Sequence, residues 1–147
     1  MSRRPPSSTA AAGLVLLAAL LHTVAAGVLW TWFGFDTGVA GDEPFFAYVA
    51  VGAVLLGALP AVAVATRRLR APALVVAAAF TLSAYGTWSI VDSGLTPVDP
   101  TPFGWYLLGW PLVAVAALLV GGGEYGLRRY RRSPTAQVRV DDTDIDR

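Results

Sequence analysis

The residue best suited to chemistry in this chain is its single histidine. His22 lies near the middle of an uncharged apolar run, residues 10–33. Ionisable groups are costly in hydrocarbon and often have a function there. A proton relay, a substrate contact or a haem ligand is one interpretation of His22, and a structural interhelical hydrogen bond is the other. The structural interpretation is favoured because such bonds are ordinary in membrane bundles.

Hydroxyl groups in a third apolar run, residues 71–91, are the predicted partners of His22. Thr81 and Ser83 lie at a similar depth to His22 when residues are counted from the inner ends of the runs, and Tyr85 is nearby. We therefore predict a hydrogen bond between His22 and the hydroxyl of Thr81 or Ser83. The same polar side chains are the candidates for lining a transport path.

A second candidate group is the carboxylate of Glu124, which follows three consecutive glycines. Arg128 is four residues further on, so an i,i+4 ion pair is predicted. An ion-coupling role at a flexible helix end is the alternative. The basic cluster Arg128–Arg132 is predicted to anchor the topology and to contact anionic lipid. Nucleic acid is not an expected partner, because the cluster is short and acidic residues follow it.

Several other chemistries have no support in the sequence. The chain has no cysteine, which excludes disulfides and thiolate metal sites. No phosphate-binding glycine loop, zinc-protease helix or nucleophile elbow is present. We predict no catalytic residue, no metal site and no cofactor, with haem or quinone kept only as alternatives. An enzyme is therefore less expected than a non-enzymatic protein.

Four apolar runs must position these residues, and none contains Asp, Glu, Lys or Arg. They are residues 10–33, 45–66, 71–91 and 103–123. About 20 apolar residues suffice to cross a bilayer as a helix. We predict an all-α integral membrane four-helix bundle over residues 10–127. Residues 1–9 and the basic, then acidic, tail 128–147 are predicted to be disordered.

The eleven basic residues are all arginines, and their positions predict the topology. They fall before the first run, between the second and third, and after the fourth. The positive-inside rule then gives up-down-up-down spans with both termini cytoplasmic, in a multi-pass protein of the cell membrane. Cleavage within residues 1–25 as a signal peptide is the competing interpretation, but the first run is longer than a signal's apolar region.

Small residues at four-residue spacing predict where the helices pack. Ala19, Thr23 and Gly27 form one such series in the first span. Ala53, Gly57 and Ala61 form another in the second span. Small side chains let helix backbones approach each other, within the bundle or between copies in a homo-oligomer. Prolines within spans two and four predict kinks, at Pro60 and Pro111.

These features favour a small structural or accessory membrane protein, or a subunit of a larger membrane complex. The first alternative is a small transporter or channel with a path lined by the third span. The second is a haem-, quinone- or lipid-binding protein centred on His22. Four-span exporters of the small multidrug type have a similar length, but they carry a carboxylate deep in the first span. His22 occupies that depth here, so export activity is not inferred.

Overall fold

The described part of the protein is entirely helical. A computed structural model describes residues 8–35, 43–95 and 101–132, and these ranges contain no strand. The helices are α1 (Ser8–Trp32), α2 (Glu43–Arg67), α3 (Ala71–Asp92), α4 (Pro102–Leu108) and α5 (Trp110–Arg132). The all-α prediction is confirmed. Predictions for residues 1–7 and 133–147 lie outside the described residues.

Four of the helices are long and apolar enough to cross a membrane, as predicted. These are Ser8–Trp32, Pro44–Arg67, Ala71–Asp92 and Trp110–Arg131. Between 11% and 33% of each apolar window is buried inside the protein, so most of the apolar surface faces outward. A water-soluble protein rarely exposes apolar surface on this scale. The order of crossing and the side of the termini stay predictions.

The fourth apolar run consists of two helices, with a break at Gly109, rather than one kinked helix. Pro111 has no N–H, so the regular hydrogen-bond ladder cannot pass through it. The amide of Leu112 donates to the carbonyl of Gly109 at 2.9 Å. It therefore does not donate to the carbonyl of Leu108, its partner in a regular α-helix. The hydroxyl of Tyr48 on α2 donates to that carbonyl at 2.8 Å. By contrast, α2 is one helix through Pro60, where a bend stays a prediction.

The last helix is longer than the sequence indicates. It passes through the three glycines and ends at Arg132, so residues 128–132 belong to α5 and not to a disordered tail. The ion pair of Glu124 with Arg128, four residues apart, lies within this extension. Contacts of both side chains with the α2–α3 turn support the helix there.

The chain leaves each of the helices α1, α2 and α3 through a residue with positive φ or just before one in the following turn. Gly34 after α1 and Gly94 after α3 have φ of 72° and 74°, a region that glycine adopts without steric cost. Arg68 does the same after α2 with φ of 55°, at a cost of about 1–2 kcal/mol for an L-residue. The amide after it, of Leu69, bonds back to the carbonyl of Ala63 at 3.2 Å.

Helix α2 is the centre of the bundle, because it packs against each of the other four helices. Gly57 is buried on it, between the similarly buried Ala53 and Ala61. A Cβ added at Gly57 would lie 2.7 Å from backbone atoms of Ala18 and Ala19 on α1. The α2 series is therefore a close helix–helix contact.

The small residues Ala19, Thr23 and Gly27 of α1 differ in how far each is buried in the bundle. Ala19 is buried against α2. Thr23 is half-buried, and its hydroxyl donates to the carbonyl of Ala19 at 2.9 Å. Gly27 is exposed, and a Cβ added there would meet nothing within 4 Å. The face that packs is instead Ala19, His22 and Ala26.

The contrast between two glycines gives a stability prediction. We expect Gly57→Ala to lower the free energy of unfolding by about 1–3 kcal/mol, because α1 must move away from α2. Gly13→Ala is the matched control, at an exposed position of α1 where a Cβ would meet nothing within 4 Å, and it should leave stability unchanged or raise it slightly. Thermal unfolding in mild detergent, followed by circular dichroism, measures both. Equal effects of the two substitutions would contradict the close contact.

Candidate functional site

Both ring nitrogens of His22 are engaged by groups of the protein. Nδ1 lies 2.8 Å from the carbonyl oxygen of Ala53 on α2, and Nε2 lies 2.8 Å from the hydroxyl of Tyr106 on α4. A carbonyl only accepts, so Nδ1 carries the proton and donates. In a neutral ring Nε2 then accepts, and Tyr106 donates its O–H. We call these three groups the His22 junction, and they select a single tautomer.

The close approach of α1 to α2 makes the first of these bonds possible. Gly57 lies one turn after Ala53, and its missing side chain leaves room for the Cβ of His22, which would lie 2.9 Å from a Cβ there. The carbonyl of Ala53 has a second lone pair, so it can accept the ring N–H as well as a helix N–H. The sequence spacing of Ala53 and Gly57 thus supplies both the acceptor and the space.

The short helix α4 positions Tyr106, and two buried threonines fix where it begins. The hydroxyl oxygen of Thr101 accepts from the amide of Gly104 at 3.0 Å, which caps the helix. The hydroxyl oxygen of Thr87 on α3 accepts from the amide of Phe103 at 2.9 Å. Phe103 is fully buried, and Tyr106 follows it by three residues on the same face. The register of α4 therefore directs Tyr106 toward His22.

Aromatic rings enclose the His22 junction. The ring of Phe80 on α3 lies 5.2 Å from that of His22 and 5.6 Å from that of Tyr106. Phe103 contacts Phe80 and also Phe33, which follows α1, with ring centroids 6.0 and 5.6 Å apart. Edge-to-face arrangements of this kind are favourable between rings. The low local dielectric strengthens the enclosed hydrogen bonds.

The predicted partners of His22 on α3 lie elsewhere. Ser83 is half-buried, and its hydroxyl donates to the carbonyl of Phe80 on its own helix at 2.9 Å. Thr81 is exposed, and with Tyr85 it lines a cavity of about 280 Å³ between α1 and α3. Counting residues gave the depth of these hydroxyls, but not the direction in which each leaves the helix.

Sequence reasoning missed Tyr106 as the partner of His22. A signal was present, however. The pair Thr101–Pro102 marks a helix start, and that start puts Phe103 and Tyr106 on one face. An aromatic face that follows a capped start is a candidate for burial. The depth of Tyr106 relative to His22 needed the three-dimensional packing.

Haem ligation by His22 does not fit this geometry. A haem iron needs a free lone pair on a ring nitrogen, but Nδ1 donates to Ala53 and Nε2 accepts from Tyr106. Binding would require displacement of the tyrosine from a capped helix. Among the described residues, no group of three or more His, Asp or Glu side chains is placed to hold a metal ion.

A second polar centre, the Glu124 cluster, joins α5 to the turn between α2 and α3. One carboxylate oxygen of Glu124 pairs with Arg128. The other accepts from the backbone amides of Arg70 and Ala71 at 2.9 and 2.8 Å. Arg128 also donates to the carbonyl of Arg68 at 2.9 Å. Arg70, at the N-cap of α3, makes no side-chain cap bond, so Glu124 caps that helix from another one.

Comparisons with protein-family models, with curated proteins and with solved structures found no match.

The bond between Tyr106 and His22 gives a second stability prediction. We expect Tyr106→Phe to lower the free energy of unfolding by about 1–2 kcal/mol, because Nε2 loses its donor while ring packing is kept. Tyr85→Phe is the matched control and should change little, since Tyr85 is 62% exposed. Thermal unfolding in mild detergent compares the two variants. An unchanged Tyr106→Phe protein would show that the bond does not stabilise the fold.

Proposed function

We propose that this chain is a multi-pass membrane protein with a structural or accessory role, as a homo-oligomer or as a subunit of a larger membrane complex. The engagement of both ring nitrogens of His22 carries this proposal. A general base must accept a proton from a substrate on a free lone pair, and both ring nitrogens of His22 are already engaged by Ala53 and Tyr106. His22 is the only His, and the four apolar runs contain no Asp, Glu, Lys or Arg.

The membrane placement is supported by the apolar outer surfaces of four helices and by the distribution of arginine. Arginines of the described residues lie in the α2–α3 turn and in the last turns of α5. Arg3 and Arg4 precede α1. The positive-inside rule places all three groups in the cytoplasm, which gives up-down-up-down crossing of the cell membrane with both termini inside.

An unfilled small-residue face on α1 supports a partner in the membrane. Gly27 is exposed and would tolerate a Cβ without contact. It borders a cavity of about 350 Å³ between α1 and α2, which Trp30 and Phe46 also line. Small residues that no helix of the same chain covers suit the approach of a helix from a second copy or another subunit.

A transporter is the second candidate function, and the broken fourth span favours it. Discontinuous helices are typical of transporter binding sites. A cavity of about 850 Å³ lies beside the break at Gly109, with Ser83 and Tyr106 among its lining residues. None of the lining residues carries a charge, which makes this cavity a poor path for ions.

Single-cysteine labelling tests the topology and the transport alternative together, because the chain has no cysteine of its own. We expect Ser93→Cys to react with a charged, impermeant maleimide in intact cells. Arg131→Cys should react only after permeabilisation. Ser83→Cys should react in neither case, since hydrocarbon surrounds it. Labelling of Ser83→Cys would reveal a water-filled path and favour the transporter, and reversed labelling of the other two would overturn the topology.

Purification in mild detergent tests the accessory role directly. We expect a sample without a Soret band and a native protein mass that is a multiple of 15.4 kDa, or a fixed-ratio complex with a second subunit. No Soret band is expected because both ring nitrogens of His22 are engaged within the protein. A second chain is expected because no helix of the same chain covers the small-residue face of α1 at Gly27. A Soret band would replace this proposal with a haem protein. A strictly monomeric chain in native membrane extracts would contradict the subunit role.

A further inference from the structure

A cleft at the arginine-rich end of the bundle separates the α2–α3 turn from α5. Its volume is about 330 Å³, and its apolar lining includes Leu69, Pro72, Leu118 and Gly122. Arg67 and Tyr125 also line it. We propose that this cleft binds an anionic phospholipid, with the phosphate at Arg67 and part of an acyl chain against the apolar lining. The proposal rests on the membrane placement given above.

Arg67 is held in a position that leaves it able to bind phosphate. Its guanidinium carbon lies 5.5 Å from the ring centroid of Tyr125, a cation–π contact. A cation–π contact does not engage the guanidinium N–H groups with an oxygen acceptor, so they stay available to one. Those groups match the oxygens of a phosphate in pairs. Arg67 is exposed, as a headgroup contact requires.

The charge of Arg67 is not neutralised by a carboxylate in the described residues. The one ion pair there joins Glu124 to Arg128. Both oxygens of Glu124 are in use, because the second accepts from two backbone amides. Arg128 is committed to Glu124 and to the carbonyl of Arg68. The lipid site proposed here is therefore at Arg67 and not at Arg128.

The apolar part of the cleft selects a lipid over a soluble phosphate. Gly121 packs tightly, since a Cβ there would lie 2.7 Å from a ring carbon of Pro72. A Cβ on the adjacent Gly122 would meet nothing within 4 Å. An open, apolar surface beside the arginine gains from contact with an acyl chain, and a free phosphate leaves it uncovered.

Native mass spectrometry of the whole protein in mild detergent tests the site. Dioleoyl phosphatidylglycerol and dioleoyl phosphatidylcholine are added at equal concentration, and glycerol 3-phosphate is added in a separate arm. We expect phosphatidylglycerol adducts to exceed phosphatidylcholine adducts. Arg67→Gln should reduce that preference about fivefold, the equivalent of about 1 kcal/mol for one basic residue at an anionic headgroup. Gly122→Leu should reduce binding of both lipids by filling the cleft.

Two substitutions outside the cleft are matched controls. Arg131→Gln removes an exposed charge, and Gly123→Leu adds a side chain where nothing lies within 4 Å. Both should retain the wild-type preference. Equal losses in the controls, unchanged binding in Arg67→Gln, or adducts of glycerol 3-phosphate that displace the lipid would overturn the proposal. Alkaline carbonate extraction of native membranes separates this failure from loss of the membrane placement, because a membrane-spanning chain stays in the pellet.

Discussion

Polar groups inside an apolar bundle are most stable when the protein itself supplies their partners, and two such hydrogen-bonded contacts connect the helices of this one. Hydrocarbon offers no water to an unpaired donor or acceptor. His22 on α1 forms hydrogen bonds with the carbonyl of Ala53 and the hydroxyl of Tyr106. The carbonyl of Leu108 has no helical N–H partner at the break in span four, and it accepts a hydrogen bond from the hydroxyl of Tyr48. Both sets of bonds join different helices, whereas the buried indole N–H groups of Trp30 and Trp110 have no hydrogen-bond partner in the described residues.

These bonds depend on how closely α2 approaches its neighbours. Gly57 lets α1 come near enough for His22 to reach a backbone carbonyl, and Gly52 lies directly against the ring of Trp110. Lipid gives no hydrophobic drive toward helix association, so close packing and hydrogen bonds must provide it. The polar contacts therefore depend on the small residues of α2, because larger side chains there would hold the helices too far apart for these hydrogen bonds to form.

The sequence predicted what is local and missed what depends on the direction of side chains across the bundle. The four apolar runs and the cap at Thr101 follow from composition and neighbouring residues, and the structure contains them. The pairing of Glu124 with Arg128 needs only helical spacing. The partner of His22 depends on the rotation of each helix about its axis, which residue spacing alone does not determine. The break at Gly109 was missed because a proline indicates a disturbed helix, but not where the carbonyl it frees finds a partner.

The two polar centres also limit where the protein can act. Aromatic rings enclose the His22 junction, and its imidazole has no unused lone pair. The carboxylate of Glu124 is likewise occupied, because it caps α3 and pairs with Arg128. Groups committed in this way stabilise a fold and are poorly placed to take part in a reaction. What remains uncommitted lies on the surface: the long apolar faces, and arginines such as Arg67 beside an open apolar cleft. The residues free to bind something therefore lie on the outer surface of the bundle, which is the surface that the proposed accessory role would use.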